Sequence, residues 1–123
     1  MNMRTILNAD ALVSGAAGLV MALGAGLLSP LTGLPELLLQ FAGFSLGPWT
    51  LALLWLAQQA AIPRGGVMAV IAVNVAWVLA SIAALFVVGP TALGYAFVIA
   101  QAVAVGVFAE LQFFALRREA RAA

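Results

Sequence analysis

GVMAVIAVNVAWVLASIAALFVV, residues 66–88, contains no ionisable side chain. About 20 apolar residues rising 1.5 Å each cross a hydrocarbon core of roughly 30 Å, so this run is long enough to span a bilayer. In water such a segment would need burial on every face. The rest of the chain cannot supply that, because 66% of its 123 residues are hydrophobic and only 7% are charged. A soluble domain carries roughly a quarter of its residues charged. Lipid is therefore the solvent, and within lipid a lone segment satisfies its backbone groups only as a helix.

Working outward, breaker segments bound this run on both sides. Ile62-Pro63-Arg64-Gly65-Gly66 precedes it, Gly89-Pro90 follows it, and Ser29-Pro30-Leu31-Thr32-Gly33-Leu34-Pro35 lies further upstream. Proline removes a backbone donor and glycine loosens the chain, so each marks a helix end. Four spanning windows result, at Ile6–Leu28, Leu37–Ala60, Gly66–Val88 and Thr91–Leu116. A cleaved leader is the competing reading of the first, but Asp10 would interrupt its apolar region, so a retained helix is expected. The expectation is a single all-α domain: an integral-membrane four-helix bundle, up-down-up-down, with residues 117–123 prolonging the last helix into water.

All five basic residues, Arg4, Arg64, Arg117, Arg118 and Arg121, fall at places that four spans put on one side. The opposite loops carry only Glu36. By the positive-inside rule both termini are then cytoplasmic, which fits the inner membrane of a bacterium. A faint tandem repeat of two helices plus two is also present. Asn8 to Ser14 resembles Asn74 to Ala80, and Gln40 has a counterpart in Gln101.

Several chemistries are excluded. The chain has no cysteine and no histidine, so disulfides, thiolate metal sites and the usual haem and zinc ligands are absent. Neither a Walker loop nor an HExxH is present, and Ser14, Ser29, Ser45 and Ser81 have no histidine or lysine base. No catalytic residue, metal site or cofactor is expected. A net charge of +1 offers nothing to nucleic acid.

What remains is a set of polar and small residues inside the spans. Asp10, Ser14, Gly18, Ala22 and Gly26 form a stripe at four-residue spacing on the first helix. Gly94, Ala102, Gly106 and Glu110 form another on the fourth, broken by Val98. Small residues let helix backbones approach closely where the hydrophobic effect gives no help. Asp10 and Glu110, with Asn8 and Asn74 alongside, read as a candidate ion or proton site, because intramembrane acids usually face a bundle interior. The alternative puts both acids at headgroup height, paired with Arg4, Arg64 or Arg117, or has Asp10 capping a helix start. Gln101 reads as an interhelical hydrogen bond, and Pro48 as the site of a kink. Trp55 and Trp77 suit an interfacial belt, while Trp49 lies deeper.

Asn8-Ala9-Asp10-Ala11-Leu12-Val13-Ser14-Gly15, Val73-Asn74-Val75-Ala76-Trp77-Val78 and Gln101 with Gln112-Phe113 together resemble small four-helix bacterial membrane proteins of uncharacterised function. The resemblance implies the four-helix fold and no activity. Small multidrug exporters fit less well, since their first-helix acid is a mid-membrane glutamate. The polar motifs of the fluoride channels are not found. Two functions follow from the residues: an accessory or structural subunit packing against a larger membrane complex or itself, or a small homo-oligomeric transporter or channel using the intramembrane acids.

Overall fold

The computed structural model describes residues 1–122, and every element among them is helical. They are α1 (Met3–Leu23), α2 (Ala25–Thr32), α3 (Glu36–Ala57), α4 (Arg64–Val88) and α5 (Ala92–Ala122). All but α2 are long and apolar enough to cross a membrane.

The first expected window, Ile6–Leu28, is not one helix. Gly24 interrupts it, with φ −97° and ψ 7°, although its N–H still donates to the Val20 carbonyl at 2.8 Å. At 21 residues α1 is by itself long and apolar enough to cross the core, so the break leaves it a candidate span. The start also lies earlier than expected. Asn2 caps it, its side-chain oxygen accepting from the Thr5 N–H at 2.9 Å, which removes Asp10 as a capping residue. Helix α3 runs as one element through Pro48. The last helix does extend past the arginines, to Ala122. Gly33 and Gly89, at φ 73° and 63°, close α2 and α4 in the left-handed conformation open to glycine.

The helices pair as two antiparallel hairpins, α1 with α3 and α4 with α5. The first hairpin is held by close backbone approach. A Cβ on Gly18 would lie 3.0 Å from the Gly43 carbonyl oxygen and from Leu46 Cβ, and one on Gly43 would collide with the Ala22 amide nitrogen. Gly18 and Ala22 thus serve the chain's own third helix. The second hairpin is pinned by side chains: Trp77 Nε1 donates to Gln101 Oε1 at 2.6 Å, and Gln101 Nε2 donates to Ser81 Oγ at 2.9 Å. These are the interhelical bonds anticipated for Gln101.

At one end of the bundle, helix termini are tied by arginines. Arg4 donates to the Ala57 and Gln59 carbonyls at 2.7 and 2.6 Å, Arg64 to Leu116 O at 3.5 Å, and Arg118 to Met1 O at 2.8 Å. Cationic groups on the last carbonyls of α3 also suit its dipole. Beneath them all four long helices contribute to one buried core, including Met3, Ile6, Leu7, Leu53, Leu56, Val67 and Leu116. At the other end Thr91 joins the end of α2 to the start of α5, its N–H on Thr32 O at 3.0 Å and its hydroxyl on Leu31 O at 2.8 Å. Between these closures the hairpins stand apart.

Candidate functional site

Asp10 lies two turns inside α1, directly above Ile6 and Leu7, which are fully buried. The carboxylate is itself only 1% exposed. Three neutral donors reach it. Ser14 Oγ, one turn along the same helix, donates to Oδ1 at 3.2 Å. Asn74 Nδ2 from α4 and Gln112 Nε2 from α5 donate to Oδ2 at 3.0 and 2.8 Å. Asn74 Nδ2 also donates to Gln112 Oε1 at 3.0 Å, which closes a triangle across three helices. Asn74 is 3% exposed and Gln112 fully buried.

The cluster joins the two hairpins with polar bonds. Asp10 belongs to the first hairpin, Asn74 and Gln112 to the second. In an apolar surrounding, amide and carboxyl groups left apart would each lose their hydration without replacement, so they are drawn to one another. Arginine plays no part in the cluster. Arg4, Arg64 and Arg118 donate to backbone carbonyls, and Arg117 lies over the Phe113 ring, 5.7 Å from its centroid.

Of the four residues expected to form an ion or proton site, the structure brings together Asp10 and Asn74. Asn8 and Glu110 are exposed and point away from them. On a helix, residues two apart differ by about 200°, so Asn8 cannot share the face of Asp10, nor Glu110 that of Gln112. The expected packing residues divide similarly. Ser14, Gly18 and Ala102 are buried, Ala22 packs beside Gly43, and Gly26 is exposed near Glu36. A Cβ on Gly106 would meet nothing within 4 Å, so that half-buried position has open space beside it. Gln112 belongs to the cluster, although the charge of Glu110 makes that neighbour the more conspicuous residue in the sequence. A polar residue amid Leu111, Phe113 and Phe114 was the signal available.

The Asp10 cluster forms the floor of a cavity of about 600 Å³ between the hairpins. Its walls come from all four long helices and include Val20, Met21, Trp49, Trp77, Phe97 and Phe108. A second cavity of about 440 Å³ shares Met21, Ser45, Trp77, Phe97 and Gln101 with it and continues toward the far end, past Leu34 and Leu38. Trp49 and Trp77 are therefore cavity walls, while Trp55, 65% exposed, faces outward. No protein family, curated protein or solved structure matches the chain, so its chemistry is argued from this geometry.

Proposed function

We propose that the protein is a non-enzymatic integral membrane subunit that packs, through the outer face of α5, against a larger membrane protein or a second copy of itself. The observation that carries this reading is Glu110. It is exposed on the outside of the bundle, one turn from Gly106, where a neighbouring backbone has room to approach. A carboxylate on a lipid-facing surface is costly, and a glycine beside it gives a partner helix access to it. Asp10, Ser14, Gly18 and Ala22 of the α1 stripe are already used within the chain, which favours this face of α5 as the docking surface.

The absence of native cysteine makes the test direct. Gly106→Cys labelled with a benzophenone crosslinker in native membranes is expected to give one protein adduct of defined mass. Leu79→Cys, on the exposed face of α4, is expected to give none. Equal yields at both positions, or lipid adducts alone, would refute the reading. In the same frame the arginine-rich end faces the cytoplasm of a bacterium and both termini lie there.

A second reading, transport through a homo-oligomer, is favoured by the buried Asp10 cluster at the cavity floor. Ile6, Leu7 and Val67 seal that floor from the arginine end, so passage would require a change in this core. Flux of protons or small ions into liposomes, lost in Asp10→Asn, would establish it.

A further inference from the structure

We infer that the cavity above Asp10 is a binding site for a lipophilic organic cation, an apolar body with a single ammonium- or phosphonium-like charge. The inference is independent of whether α5 docks a partner. It rests on the size, lining and access of the interior.

The chamber has the size of a small-molecule site, about 600 Å³ with a further 440 Å³ adjoining. Its chemistry is one-sided. Aromatic and aliphatic walls surround one charge-bearing group, Asp10, set at one end with Ser14 and Asn74. That carboxylate is held by neutral donors, and the arginine hydrogen bonds go to carbonyls elsewhere. A cation in the chamber would meet the one acidic side chain of its lining in a medium of low dielectric, where opposite charges attract strongly. Trp49, Trp77, Phe97 and Phe108 add aromatic rings, whose faces favour cations over anions.

Access selects for lipophilicity. Met3, Ile6, Leu7 and Leu53, each at most 2% exposed, close the route from the arginine end. The cavity's exposed rim residues, Val13, Val20 and Val73, lie on the membrane-spanning parts of α1 and α4. A ligand therefore enters from the bilayer, which a hydrated inorganic ion does not do. Nor is a divalent metal suited to the floor. Such ions need several oxygen ligands, often more than one carboxylate, and among the described residues no three acidic, histidine or cysteine side chains gather.

The test uses the full chain in lipid nanodiscs, equilibrium dialysis, and two probes alike in shape and opposite in charge, tetraphenylphosphonium and tetraphenylborate. Saturable phosphonium binding above that of empty nanodiscs is expected, with quenching of tryptophan emission. Tetraphenylborate should show none. Asp10→Asn, which keeps the side-chain shape, should weaken phosphonium binding by at least about tenfold, as loss of one partner of a buried charge pair does. Ala104→Phe, on the cavity wall and away from the polar floor, should abolish it, and this variant decides the matter if Asp10→Asn does not fold. Equal binding of the two probes, undiminished binding in the folded variant, or no saturable binding at all would overturn the assignment.

Discussion

Asp10, Asn74 and Gln112 each carry a side chain that apolar surroundings penalise unless it is paired, and each finds its partners on another helix. Interhelical hydrogen bonds in membrane proteins contribute about 0.6 kcal/mol on average and up to about 2 kcal/mol. Because these three side chains form a closed triangle, their contributions are coupled. Asn74→Leu and Gln112→Leu should each destabilise the protein in detergent by about 1–2 kcal/mol. The double variant should cost less than the sum, since either change already breaks the triangle. Additivity to within about 0.5 kcal/mol in an unfolding titration would show that the two amides act separately. Glu110→Gln, at an exposed position, should leave the stability of the isolated protein unchanged within about 0.5 kcal/mol. The sequence alone made Asp10 and Asn74 visible as polar residues in apolar runs. It did not rank Gln112 above Glu110, because charge signals function more strongly than an amide does. Which of two residues on nearly opposite helix faces turns inward is set by the neighbouring helices, and those are not written in one helix's own pattern.

Between helices, contact is governed by how near two backbones come. Where α1 crosses α3, a Cβ on Gly43 would collide with the Ala22 backbone, and one on Gly18 would stand 3.0 Å from a carbonyl. Neither obstacle is the flexible end of a side chain, so the hairpin must open to admit a methyl group. Gly43→Ala should therefore destabilise by about 1–3 kcal/mol, the usual range for overpacking. Gly47 and Gly106 have open space at their Cβ positions. Alanine there should be neutral, or stabilising by up to about 1 kcal/mol through helix propensity. Thermal unfolding in detergent separates the pairs, and equal effects at Gly43 and Gly106 would contradict the packing described. The spans themselves were legible from hydropathy, since length and apolarity suffice for a helix in lipid. The break at Gly24 was not. Glycines are common in membrane helices, and the residue that interrupts one is chosen by what packs around it; here α2 turns to meet α5 at Thr32 and Thr91. The Asp10 stripe was legible as a packing surface, but its counterpart on α3, centred on Gly43, was needed to show that it is consumed inside the chain.

For the molecule as a whole, the asymmetry of its ends matters most. One end gathers Arg4, Arg64 and Arg118 onto helix termini and a tight core, whereas the other joins α2 to α5 through Thr32 and Thr91 and carries Glu36 in the first turn of α3. Positive charge resists translocation, so the proposed orientation, with the arginine end inward, is the one the charge distribution favours. The same asymmetry bears on the cavity. Its polar floor lies toward the arginine end and its apolar extension reaches toward the other, so a bound cation would sit in the leaflet on the arginine side. Orientation is measurable with single cysteines in the cysteine-free chain. Gln58→Cys and Glu36→Cys are both exposed, at opposite ends. In intact cells a membrane-impermeant maleimide should label Glu36→Cys and spare Gln58→Cys, and inverted vesicles should reverse the result. Labelling of both sites in both preparations would mean two orientations in the membrane. In that case copies would meet antiparallel, and the outer face of α5 would have to pair with its own inverted image rather than with a partner of fixed orientation.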